Sequence, residues 1–226
     1  MTSTPDTVTS EVRALLTPVA DPSRAPAMQK YMKDIAPYLG VTTPDRRAAL
    51  NPWIRSFDPG PDAQRLLAAA KLLVAEPERD FAYVALDLVR RHERTLPPDS
   101  LLVVRDLALQ RPWWDTVDLW AGILGRTALR YRGWDAEIAG WATDPRLWVR
   151  RIPLVFQVGR RANTDLDLLF AVCRANAADR DFFMRKGIGW GLRDAARTYP
   201  DEVRAFVDAE RHRLSALSIR EATKHL

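Results

Sequence analysis

Trp114 and Asp118 lie four residues apart in RPWWDTVDLWAGIL, a spacing that stacks two side chains on one side of a helix. Arg151 in DPRLWVRRIPLVFQ and Trp190 in DRDFFMRKGIGWGLR complete a set of four. A carboxylate on a tryptophan-bearing face is not what a dry core selects. Two indoles, a carboxylate and a guanidinium offer no nucleophilic Ser, Cys or His, but they suit a substrate that is already positively charged. Aromatic faces take a cationic ring. A carboxylate stabilises a developing oxocarbenium ion and orients a water. A guanidinium matches a phosphate in a bidentate way. A purine alkylated at N3 or N7 is such a substrate, because its glycosidic bond needs no acid to protonate the leaving base. The same residues also read as a surface Asp–Arg ion pair flanked by half-buried tryptophans, and spacing weighs the two equally.

Other chemistry has little support. His92, His212 and His225 are scattered and show no metal-ligand spacing with the single Cys173. No phosphate-binding glycine loop, G-x-S-x-G or H-E-x-x-H occurs. Seven of the 8 tryptophans fall between residues 113 and 190, and most are expected in the core. Trp113, Val117, Trp120 and Leu124 share one predicted helical face and are expected to be buried. Asp115, off that stripe and near a helix start, reads as a cap. Arg150 is offset from Arg151 by about 100°, so only one of them can reach a given phosphate.

These residues need helices to position them. Strand alternation and hairpin dipeptides are nearly absent, whereas Phe81, Val84, Ala85, Leu88 and Val89 follow helical spacing within 79–94. Prolines at Thr43-Pro44, Asp58-Pro59, Asp144-Pro145 and Pro200 stand where helices can begin. Pro153 lies inside a helical stretch and predicts a kink. Gly187 and Gly191 each cost up to about 1 kcal/mol against alanine in a helix interior. About a dozen short helices are expected. Aligned on Phe81, Trp114, Trp148 and Phe183, four similar segments recur at offsets of 33, 34 and 35 residues. That period predicts an all-α, HEAT-like α-solenoid with a concave face suited to a duplex. On equivalent helices, Trp114, Asp118, Arg151 and Trp190 fall within about 100° of arc.

Composition bounds the rest. The 226 residues are 47% apolar and 28% charged, which excludes a disordered chain or a disulfide scaffold. Residues 1–25 are expected as a partly loose segment or first helix, and 26–226 as one domain. The start has no basic stretch followed by an apolar one, so no signal peptide is expected, and no run is long enough to span a membrane. Residues 1–145 carry 18 Lys+Arg against 19 Asp+Glu, while 146–226 carry 16 against 10. With a pI near 9.6, the C-terminal excess points to a polyanion, most simply nucleic acid.

The motifs carry a resemblance over residues 26–226. MQKYMKDIAPYLGVTTPDRR (28–47), WWDTVD (113–118), LWVRRIPLVFQ (147–157), FFMRKGIGWGLRDAARTYPDEV (182–203) and LSIREATKHL (217–226) follow in order. Together they resemble the DNA alkylation repair enzyme family of AlkD-type DNA glycosylases. The resemblance implies a HEAT-like repeat enzyme of base excision repair that removes 3-methyladenine and 7-methylguanine from duplex DNA, without extruding the base into a deep pocket. It implies catalytic roles for Trp114, Asp118, Arg151 and Trp190, with Tyr31 lining the site. No metal, organic cofactor or membrane is implied, and a monomer in the bacterial cytoplasm at the nucleoid is expected. Tyr31, Arg151, Lys186, Arg193 and Arg220 are the candidate DNA contacts, Lys186 and Arg193 because they flank Trp190 on one helical face. The rivals are a non-catalytic paralogue that recognises branched or distorted DNA, and a protein-binding α-solenoid scaffold.

Overall fold

The computed structural model describes residues 5–226, and among them the chain is helical without a strand. It divides into two compact units, residues 1–111 and 112–226, a boundary inside the stretch drawn above as one domain. The first unit holds α1 (Pro5–Leu16), α2 (Ala25–Tyr31), α3 (Thr43–Ser56), α4 (Gln64–Ala75), α5 (Arg79–His92) and α6 (Leu101–Ala108). The second holds α7 (Trp114–Ala128), α8 (Trp134–Gly140), α9 (Leu147–Val155), α10 (Leu166–Ala175), α11 (Phe182–Ala196), α12 (Pro200–Ala209) and α13 (Ala216–Ala222). Of the expected N-terminal segment 1–25, α1 is helical from Pro5, and residues 1–4 lie outside the described residues. No described helix is long and apolar enough to cross a membrane.

In the first unit α4 packs against α1, α5 and α6, and α3 packs against α1 and α5. The stripe read from the sequence of α5 is the reason: Phe81, Val84, Ala85, Leu88 and Val89 are all buried. α3 begins where Thr42 accepts a hydrogen bond from the Asp45 amide at 3.3 Å, with Pro44 in the first turn. Pro52 lies inside α3, a second interior proline that the sequence reading did not mark.

In the second unit α9 lies between α7 and α11, and α11 packs on α13. α10 covers α8, α9 and α11, and α12 covers α11. Such stacking of successive helices is consistent with an α-solenoid. α11 starts where the Asp181 carboxylate accepts from the amides of Phe183 (2.7 Å) and Met184 (3.2 Å). The glycines that looked costly have a packing reason. A Cβ on Gly191 would stand 2.3 Å from the Leu154 carbonyl oxygen, and one on Gly187 3.1 Å from Arg151 Nη1. Without side chains there, α11 closes onto α9. The latter helix continues through Pro153 and ends two residues later at Val155, so the proline removes a bond only near its end.

Candidate functional site

α7 opens with Trp113 as its N-cap in extended conformation (φ −150°, ψ 161°), so Trp114 is the first helical residue. This corrects the expected stripe. Val117, Trp120 and Leu124 are buried as expected, but Trp113 precedes the helix and is half-buried in another direction. Its indole packs against Trp148 (5.5 Å between centroids) and Phe183 (5.0 Å), which themselves lie 5.2 Å apart. These three rings recur at an even spacing of 35 residues, and they, rather than Trp114, are the aromatics in contact at the starts of α7, α9 and α11. The equal spacing was visible in the sequence. Asp115 is not the cap: it is buried in the first turn, where the helix dipole favours a carboxylate.

One turn further along α7, Asp118 meets Arg151 of α9. Arg151 Nε donates to Asp118 Oδ1 and Nη2 donates to Oδ2, both at 2.7 Å. Nη1 donates to the Phe183 carbonyl at the start of α11. The pair therefore ties three helices together, with only 5% of the Arg151 side chain and 11% of the Asp118 side chain exposed. Burial pushes the Asp118 carboxyl above its ordinary value, the neighbouring Asp115 charge adds to this, and Arg151 pulls against both. The phosphate role expected of Arg151 does not fit this placement. A guanidinium has five N–H donors; three of the bonds here go to protein, in a buried position.

Trp114 and Trp190 are both half-buried. Trp190 follows Gly187, the residue facing Arg151, by three positions and so lies about 60° round α11 from it. Arg150 points elsewhere, donating to Asp179 Oδ2 at 2.8 Å and to the carbonyls of Asp144 and Pro145. The structure thus joins Asp118 to Arg151 directly and sets Trp114 and Trp190 on the helices either side of α9. Tyr31 ends α2 in the first unit and is 73% exposed.

Lys186 and Arg193 flank Trp190 as expected, but neither is a bare cation. Lys186 Nζ lies 3.0 Å from Glu221 Oε1, and Arg193 Nη1 donates to Glu221 Oε2 at 2.5 Å. Those two cations, Lys186 foremost, hold the Glu221 carboxyl below its ordinary range. A Cβ on Gly189 would stand 2.4 Å from Glu221 Cβ, so the glycine lets α13 bring this carboxylate in. Sequence reasoning missed Glu221, although it follows Arg220 in the LSIREATKHL stretch. Arg220 is exposed and forms no ion pair among the described residues.

Burial pushes the Cys173 thiol up to about 12. His92 Nε2 pairs with the Ile54 carbonyl at 2.8 Å, and His212 and His225 are exposed. No group of three or more His, Cys, Asp or Glu among the described residues is arranged to hold a metal ion.

Comparison with known proteins agrees with this architecture. The family model described as DNA alkylation repair enzyme matches residues 12–226. A solved structure, "Predicted DNA alkylation repair enzyme from Enterococcus faecalis", is similar with a TM-score of 0.84 and 26% sequence identity, over 92% of this chain and 96% of its own. No curated protein matches the chain.

Proposed function

The chain belongs to the DNA alkylation repair enzyme family, and we propose that it is a monofunctional glycosylase that excises cationic N3- and N7-alkylated purines from duplex DNA, with the base left outside any deep pocket. The observation that carries this reading is the buried Asp118–Arg151 pair, with half-buried Trp114 and Trp190 on the adjoining helices. Arg151 fixes both carboxylate oxygens and counters the burial that would neutralise them. Each oxygen retains a lone pair for sugar or water. The indoles offer faces to a cationic base.

In the reaction the C1′–N9 bond breaks and its electron pair goes to the purine, which leaves neutral. Positive charge moves from the base onto the deoxyribose, toward the carboxylate. Asp118 opposes that charge and accepts a proton from the water that attacks C1′, for which a raised pKa is an aid. No lysine belongs to the set of four, so no imine-forming strand cleavage follows.

Release requires ionised Asp118. Because burial lifts its pKa above the ordinary value of about 3.9, the rate is full near neutrality and falls as pH drops through a midpoint above that value. Single-turnover release measured between about pH 4 and 8 checks this; a rate that stays flat down to the ordinary aspartate range contradicts it. The defining experiment is incubation with a duplex carrying one 7-methylguanine. Free base supports the enzyme, whereas binding without release favours the non-catalytic DNA-binding reading. That second reading draws on the same pair, since a bidentate bridge this well enclosed also serves as a staple between α7 and α9.

A further inference from the structure

The rings that meet at the starts of α7, α9 and α11 take no part in the chemistry above, yet they adjoin the groups that do. Phe183 belongs to both sets. Its ring lies against Trp113 and Trp148, and its carbonyl accepts from Arg151 Nη1. Trp148 precedes Arg151 by three residues on α9, so the two share a side of that helix. Trp113 stands five residues before Asp118, at the point where α7 begins.

Core filling does not account for these rings. All three are half-buried, whereas Trp120 of α7 is 1% exposed and fills the core. Hydrogen bonding does not account for them either, since Trp113 Nε1 is buried without a partner among the described residues. What they supply is an anchor. No side chain caps α7 or α9, and an uncapped helix start frays. The Trp113 carbonyl accepts from the amides of Thr116 (3.2 Å) and Val117 (3.0 Å), so the residue whose ring is clamped also carries the first turn of α7. Clamping the rings thus fixes three helix starts against one another. Arg151 reaches from α9 to both neighbours about one turn further on.

We infer that Trp113, Trp148 and Phe183 are positioning residues, which hold α7 and α11 in the register at which Arg151 fixes both oxygens of Asp118. The inference rests on the proposed glycosylase reading for its effect on rate, but not for its effect on geometry. If the clamp opens, Arg151 loses the Phe183 carbonyl or one of its bonds to Asp118. The carboxylate then shifts relative to the sugar it must face, and a misplacement of about 1 Å costs up to about 100-fold in rate.

The test uses the full chain with Trp113→Leu, Trp148→Leu, the two combined, and Trp113→Phe as the conservative change. Phe170→Leu is the control, because it breaks a stacked pair with Phe206 (4.3 Å between centroids) away from these helix starts. Single-turnover release of 7-methylguanine and duplex affinity are measured at a temperature where circular dichroism shows each variant folded. Both leucine variants are expected to release base about 10- to 100-fold more slowly, with affinity within a few-fold of wild type. Their combination should fall no further than the slower single variant, because both open one clamp. Trp113→Phe should recover most of the rate, since it keeps a ring and gives up only an unpartnered N–H. Phe170→Leu should match wild type. Leucine variants that release base as fast as Phe170→Leu overturn the inference, and so does a loss in affinity without a loss in rate. The second readout is exchange of the Arg151 Nε proton with water, followed by NMR and identified by its absence in Arg151→Lys. Trp113→Leu is expected to speed that exchange by about tenfold or more. Unchanged exchange overturns the inference whether or not base is released. Wild type that releases no base sinks the glycosylase reading, and the exchange result then decides the positioning role alone.

Discussion

Arg151 in the second unit is enclosed against Asp118 and the Phe183 carbonyl, whereas Arg55, Arg90 and Arg91 in the first stand exposed with no ion pair among the described residues. The same side chain serves opposite ends. A buried pair has lost its hydration, and the mutual attraction roughly offsets that loss, so its worth lies in fixing geometry. Exposed guanidiniums keep their water, are screened by salt, and add affinity for any polyanion. Lys186 and Arg193 fall between the two, held by one partly accessible carboxylate, Glu221.

Breaking the buried pair is the largest perturbation. Arg151→Ala leaves Asp118 unpaired among three helices, and such a loss costs about 3–5 kcal/mol. Chemical denaturation measures it; a loss below about 1 kcal/mol, the range of an exposed pair, would mean that the bridge is open to solvent. Next is the close approach that encloses it. Gly191→Ala drives a Cβ into the Leu154 backbone and is expected to cost about 1–3 kcal/mol. Gly187→Ala, which meets only side-chain atoms at 3.1 and 3.2 Å, is expected to cost less. A reversed order in melting temperature would contradict the packing of α11 on α9.

The intermediate case gives the smallest change in stability. Glu221→Gln frees Lys186 and Arg193 without removing either, so unfolding moves by no more than about 1 kcal/mol. Duplex affinity is expected to rise severalfold at low salt, and the salt slope to steepen by up to about two contacts. If neither affinity nor slope changes, the two cations do not face DNA and belong with the structural charges.

Much of this was legible in the sequence where spacing alone decides. The α5 stripe gave its buried face, and the four-residue step from Trp114 to Asp118 placed both on one helix. Partners across helices were less legible, because they depend on register. Trp114 served as the repeat marker, but Trp113, held outside the helix as its N-cap, is the ring that meets Trp148 and Phe183. Arg151 carried a charge suited to phosphate, and only the placement of α9 beside α7 gives that charge to Asp118. Local charge was hidden by arithmetic. The near balance over residues 1–145 sums the whole stretch, and so conceals that Arg47, Arg55, Arg90 and Arg91 cluster on α3 and α5. The excess over 146–226 already counts carboxylates such as Asp179, Glu210 and Glu221, and what the sum conceals is which cations they engage: Arg150, Arg174, and Lys186 with Arg193.

The central claim is that the Asp118 charge acts on the sugar rather than only on Arg151. Asp118→Asn keeps the shape and removes the charge. Since the bridge is buried, this variant also loses stability, so unfolding alone does not separate the two roles. The deciding measurement is single-turnover release of 7-methylguanine from duplex DNA, at saturating protein and at a temperature where circular dichroism shows the variant folded. The account predicts a fall of about 10²–10³ in rate with duplex binding retained. Release by the folded variant within a few-fold of wild type would contradict it and leave the pair as a staple between two helices.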